Sequence, residues 1–199
     1  TIYADDNNPN QNFKEAIASL QKAIALNPND ATAYYNLGTI YAHPNNPNPN
    51  FQEAIKNYNQ AIALNPKLPE AYLNLGTTYA QNNNFAQAIE SFQQAIALNP
   101  TYAEAYLNLG LTYAHPNNPN QNFQEAIKNY NQAIALNPNY TEAYNNLGTI
   151  YINSKNPNKN FPQAIACFQK AISLNPNNEE AYYDLGTIYS HPNNPNKDL

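Results

Sequence analysis

Phe51–Pro66 reads FQEAIKNYNQAIALNP, and Phe123–Pro138 repeats those 16 residues without one change. A duplication of this length makes the chain an internal repeat, and a repeat sets the fold class before any local reading. Glycine occurs only at Gly38, Gly76, Gly110, Gly148 and Gly186, in steps of 38, 34, 38 and 38 residues. Pro28, Pro66, Pro100, Pro138 and Pro176 keep the same steps, and so do Phe13, Phe51, Phe85, Phe123 and Phe161. The unit is 34 residues long, with four more inserted at one place in most copies.

Each unit holds two stretches of helical period. Tyr72, Leu75, Gly76 and Tyr79 fall at i, i+3, i+4 and i+7, and Phe85, Ala88, Ile89, Phe92, Ala95 and Ile96 again share one face. Asn-Pro follows every second helix and His-Pro follows three of the first, where proline stops a helix. Pro69 and Pro162 sit instead at first-turn positions, which tolerate proline. The pattern predicts helices A near 31–42, 69–81, 103–114, 141–152 and 179–190, and helices B near 13–26, 51–64, 85–98, 123–136 and 161–174.

These residues resemble the tetratricopeptide repeat (TPR) pattern. Helix A carries Tyr34, Leu37, Gly38 and Tyr41, and helix B carries Phe51, Ala54, Tyr58, Ala61 and Pro66. The pattern returns as Tyr72 to Pro100, Tyr106 to Pro138 and Tyr144 to Pro176. Tyrosine stands where the family often has tryptophan, and the A–B loop is longer than usual. The resemblance implies an all-α solenoid, a right-handed superhelix of antiparallel helix pairs. A physical reason supports the pattern: glycine lets helix A approach helix B closely, and the alanines at Ala54 and Ala61 leave room for the neighbour. The chain reads as one array over 1–199, with a partial repeat 1–30, repeats near 31–68, 69–102, 103–140 and 141–178, and a partial repeat 179–199. Thr1-Ile2-Tyr3 matches Thr187-Ile188-Tyr189, so the expectation is a window of a longer array, or uncapped ends that stack head to tail.

Composition narrows the function. Net charge is −5, and all nine basic residues are lysine. Such a chain lacks the basic face that nucleic acid requires. No transmembrane run and no secretory signal pattern is visible, so no membrane partner is expected. Cys167 is the one cysteine and reads as a small helix B residue. Asparagine is abundant while valine, methionine and tryptophan are absent, which reads as base-composition bias plus duplication. There is no nucleophile–histidine–carboxylate grouping and no phosphate loop, so neither an enzyme nor a cofactor is expected of this segment.

Function is expected on helix A, which lines the concave face in the family that the chain resembles. Two positions after each helix A aromatic stand Asn36, Asn74, Asn108 and Asn146, with Asp184 last. A carboxamide both donates and accepts, so it can hold an extended backbone without reading side chains. The row resembles the asparagine ladder of the TPR superhelix in O-linked N-acetylglucosamine transferases. It is either a peptide-binding row or a solvated polar stripe. Tyr35, Leu73, Leu107, Leu111 and Tyr183 are expected to supply apolar contact beside it, and the variation through Tyr35, Leu73, Leu107, Asn145 and Tyr183 to carry specificity. Glu70, Glu104 and Glu142, with Glu180, stand in the first turn of helix A, where the macrodipole favours carboxylates. The family's carboxylate-clamp members carry lysine or arginine in this region, so the ligand expected here is a neutral or basic protein or peptide segment, not an acidic tail.

The long A–B loops are a second candidate. They read His43-Pro-Asn-Asn-Pro-Asn-Pro-Asn and His115-Pro-Asn-Asn-Pro-Asn-Gln-Asn, with looser relatives at Asp5–Asn12 and Asn153–Asn160. His43, His115 and His191 belong to different repeats and lack acidic or thiol companions, so helix capping is expected of them rather than zinc. Asn139-Tyr140-Thr141 is a glycosylation sequon. The sequence therefore points to a peptide-binding scaffold. The alternatives are a subunit that stacks into filaments and the substrate-recruiting segment of a larger transferase.

Overall fold

Alternating apolar faces and proline stops produce ten helices. They are α1 (Phe13–Leu26), α2 (Ala31–Ala42), α3 (Phe51–Leu64), α4 (Pro69–Gln81), α5 (Phe85–Leu98), α6 (Ala103–Ala114), α7 (Phe123–Leu136), α8 (Thr141–Ile152), α9 (Phe161–Leu174) and α10 (Glu179–Ser190). The structure is a computed structural model and describes residues 12–191. Every described helix has the bounds that the repeat period predicts. Thr1–Tyr3 and all but the last residue of the loop before α1 lie outside the described residues.

The chain divides into two compact units, 1–100 and 101–199. In the first, α2 packs on α3 and α4 on α5, with α3 also against α4 and α1 against α2. In the second, α6 packs on α7 and α8 on α9, with α7 against α8 and α9 against α10. Within each A–B pair the glycine and an aromatic ring set the spacing. A methyl group at Gly38 would lie 2.8 Å from the Tyr58 ring, and at Gly76 2.7 Å from Phe92. Gly110 and Gly148 stand 2.7 Å on the same measure from Tyr130 and Phe168. The alanines on the same helix B face, Ala54, Ala61, Ala126 and Ala133, are fully buried. Small residues thus let the helices close, and a large ring fills what remains.

The four-residue insertion leaves this packing unchanged. In the long loops Asn50 N–H donates to Tyr41 O at 2.9 Å, Asn122 N–H to Tyr113 O at 2.9 Å and Asn160 N–H to Tyr151 O at 2.9 Å. In the short loop the equivalent bond runs from Asn84 N–H to Tyr79 O at 2.8 Å, with Asn83 in the left-handed region at φ 58°. The same backbone clasp closes both lengths. Inside each long loop one asparagine is buried: Asn46, Asn118 or Asn156. Asn118 donates from Nδ2 to Thr112 O at 2.8 Å and accepts from Asn120 N–H at 2.9 Å. Asn46 and Asn156 repeat both bonds.

Asparagine does structural work elsewhere too. Asn12, Asn50, Asn122 and Asn160 are N-caps whose side chains accept first-turn N–H groups. Asn27, Asn65, Asn137 and Asn175 end helices B and accept the N–H two residues on, across the intervening proline. Composition bias alone does not account for asparagines used this regularly. The histidines act as expected at helix ends: His43, His115 and His191 are the C-cap residues of α2, α6 and α10. The Nδ1 atoms of His43 and His115 accept the N–H of Asn45 and Asn117 at 3.1 and 3.2 Å.

Candidate functional site: the helix A face

Asn36 and Asn74 lie half-buried on α2 and α4 in the first unit. Asn108, Asn146 and Asp184 lie half-buried on α6, α8 and α10 in the second. Their internal bonding differs. The carboxamides of Asn36, Asn108 and Asn146 make no hydrogen bond to other described residues. Asn74 donates from Nδ2 to the Tyr35 hydroxyl at 3.0 Å. Asp184 accepts from the Thr149 hydroxyl at 3.4 Å. Burial raises the Asp184 carboxyl above its usual range, Glu180 adds to this, and the Thr149 bond opposes it. The contrast with helix B is instructive. Asn57 and Asn129 there are buried and donate to Glu53 O and Glu125 O at 2.8 Å.

The apolar companions divide. Leu111 is half-buried against the second unit's core, and Tyr183 is exposed. Tyr35 is half-buried, with its ring tilted against Tyr58. Leu73 and Leu107 were expected beside the ladder, but only 3% and 2% of their surface is exposed. They have no surface to offer a ligand and serve packing instead. Asn145 holds the same position and is also buried; its Nδ2 donates to Asn178 Oδ1 at 3.2 Å, and Asn178 Nδ2 returns a bond to Asn145 Oδ1 at 3.0 Å. Variation at this position therefore sets packing in at least three repeats.

Glu70, Glu104 and Glu142 stand in the first turns of α4, α6 and α8, and each residue keeps part of its surface exposed. In the second unit the carboxylates form an edge. Burial raises the Glu142 carboxyl above its usual range, and the charges of Glu104 and Glu180 raise it further. Tyr140 beside them is pushed up to about 12, first by burial and then by Glu104 and Glu142. Cys167 is half-buried, and burial pushes its thiol up to about 11, which leaves it a poor nucleophile. Among the described residues no three His, Cys, Asp or Glu gather to hold a metal ion, and no helix is long and apolar enough to cross a membrane.

Sequence reasoning missed one group of polar residues on this face. Thr39 and Thr77 follow their glycines, and each hydroxyl donates at 3.1 Å to the carbonyl four residues back, Tyr35 O or Leu73 O. The recurrence of threonine after Gly38, Gly76, Gly148 and Gly186, with Leu111 the exception, was available as a signal.

A family model described as TPR repeat matches residues 10–43, 50–83, 77–115, 120–154 and 158–190, and one described as Sel1 repeat matches 31–66. A comparison with curated proteins finds no match. Among solved structures, the chain is similar to MamA at 28% identity and TM-score 0.70, over 81% of this chain and 88% of that one. It is similar to YrrB, described as a TPR protein with an unusual peptide-binding site, at 24% identity and TM-score 0.69, over 87% and 84%. It is also similar to TTC0263, a thermophilic TPR protein of Thermus thermophilus, at 22% identity and TM-score 0.62, over 88% and 89%. The last two likenesses concern the fold.

Proposed function

The chain belongs to the tetratricopeptide repeat family, and on that premise we propose that it is a non-catalytic scaffold that holds an extended peptide along its helix A face. One observation carries the reading. The carboxamides of Asn36, Asn108 and Asn146 are half-buried and unbonded to other described residues, while the chain's structural asparagines are bonded internally. Each free carboxamide has a donor and an acceptor to offer a peptide backbone. The acidic edge at Glu104, Glu142 and Glu180 sets the polarity: a neutral or basic segment is accepted and an acidic tail is refused. Each neutral hydrogen bond contributes about 1 kcal/mol net, so an affinity on the order of micromolar is expected.

The test is a peptide array probed with the full chain. Extended neutral or basic peptides should bind and their glutamate-substituted versions should not. The double variant Asn108→Ala/Asn146→Ala should weaken the best peptide roughly 30-fold, at about 1 kcal/mol per lost bond, with unchanged far-UV circular dichroism. Full affinity in that variant would sink the proposal.

End-to-end stacking is a second reading, favoured by one feature. Among the described residues Gly186 on α10 has no atom within 4 Å of a methyl placed there, although the four earlier glycines each face an aromatic ring. Tyr182, Tyr183 and Tyr189 on the same helix are exposed. The site suits a helix of the B pattern, whether from a following segment or from a second copy. Sedimentation across a wide concentration range decides: growing particles that revert to monomer in Gly186→Leu support it, and a constant monomer excludes it.

A further inference from the structure

We propose that the hollow between α2 and α4 is a side-chain pocket for a carboxamide, so that the groove reads one glutamine or asparagine of its ligand in addition to the backbone. It deepens the peptide-binding reading and rests on it for the ligand's approach. The hollow has a volume of about 180 Å³, and its lining includes Thr39, His43, Tyr58, Asn74, Thr77 and Gln81. That volume corresponds to roughly six waters at about 30 Å³ each, enough for one side chain.

The chemistry of the lining selects the ligand. Thr39 and Thr77 use their hydroxyl protons on Tyr35 O and Leu73 O, so their oxygens enter the pocket as acceptors. Tyr58 is fully buried beneath them, and its hydroxyl lies 3.4 Å from Thr39 Oγ1 as donor. Asn74 donates to the Tyr35 hydroxyl and also bonds the Tyr58 hydroxyl, which leaves Oδ1 to accept, and the amide donor on offer is that of Gln81. Gln81 at the end of α4 is exposed and makes no hydrogen bond to other described residues. The lining therefore offers acceptors and amide donors together, which is the complement of a carboxamide. None of the lining residues is a carboxylate or a lysine, and His43, which also lines the hollow, uses Nδ1 to accept the Asn45 N–H, so a charged side chain entering the pocket would lose hydration for little charge compensation.

The equivalent place between α6 and α8 lacks this character. Leu111 stands where Thr39 does, and the buried Tyr130 hydroxyl has no hydrogen-bond partner among the described residues. Between α8 and α10 the threonines recur as Thr149 and Thr187, but Asp184 stands where Asn74 does and Phe168 where Tyr58 does, so the carboxamide-matching lining belongs to the α2–α4 place.

The experiment titrates the full chain with N-acetyl-glutamine N-methylamide, with the leucine, glutamate and lysine analogues in parallel. The readout is the Thr39 and Thr77 methyl and Tyr58 ring resonances. Glutamine should give saturable shifts in the millimolar range, and each of the other three should bind at least about fivefold more weakly, the equivalent of one neutral hydrogen bond. Thr77→Val, which keeps shape and removes the acceptor, should cost glutamine about fivefold and leave leucine unchanged. Gln81→Ala on the exposed rim gives a second variant that does not risk the fold, with the same expectation. Equal response to glutamine and leucine overturns the proposal, as does absence of any shift. A single blocked residue barely engages the ladder, so this outcome is separate from that of the peptide array.

Discussion

A glycine is a packing device only where something occupies the space its side chain would fill. At Gly110 the Tyr130 ring does so, 2.7 Å from a would-be methyl, and Tyr130 is walled in. Gly110→Ala should therefore overpack the α6–α7 contact and cost about 1–3 kcal/mol. At Gly186, on helix α10, none of the described residues is near. Gly186→Ala should instead gain about 0.5–1 kcal/mol from backbone entropy alone. Thermal melts of the two variants should move in opposite directions. The sequence marks both glycines as equal members of one series, because period is visible in a sequence and occupancy is not. Leu73 and Leu107 are a similar case. Their place one residue before the ladder suggested the groove, but burial depends on what an adjacent repeat brings against them, and no residue of their own helix records that.

At the scale of elements more was legible. Helix bounds came through because each is fixed locally, by Asn-Pro, His-Pro or an asparagine cap before phenylalanine. The clasp across the A–B loop was not readable, because Asn50 N–H to Tyr41 O and Asn84 N–H to Tyr79 O are the same bond at different sequence separations. It leads to an expectation. Replacing 115–122 by the Gln-Asn-Asn-Asn of the short loop removes four residues and keeps the bond. Loop entropy changes slowly with length, so stability should shift by less than about 1 kcal/mol, with helicity unchanged by circular dichroism. The buried Asn145–Asn178 pair is less forgiving. Asn178 also accepts the Ala181 N–H at 3.1 Å, so it is held from two sides. Asn145→Leu alone strands the Asn178 amide and should cost about 1–3 kcal/mol. Asn145→Leu/Asn178→Tyr copies the Leu107 and Tyr140 of the preceding repeat and should recover most of that loss in a double-mutant cycle read by chemical denaturation.

At the scale of the whole molecule, net charge is −5 and carboxylates gather at helix starts. Partial burial and the charges of Glu104 and Glu180 raise the Glu142 carboxyl. A pKa above the ordinary 4.5 means that the folded state holds this proton more tightly than the unfolded chain. The group's contribution is fully favourable below that ordinary value and is lost as pH rises through the raised one. Glu142→Gln should accordingly stabilise the fold at pH 7, by no more than about 0.5 kcal/mol given its exposure, and the difference from the parent in thermal melts should vanish by about pH 4. Near-identical copies carry a different hazard, since any helix B can pair with any helix A during folding and the product is misthreaded or swapped. Asn145 and Asn178 give one junction a chemistry distinct from those of its neighbours. A chain folding out of sequence buries a bare carboxamide, so the pair acts as an address within an otherwise repetitive text. The double replacement, though close to the parent in stability, should refold in lower yield and leave more aggregate.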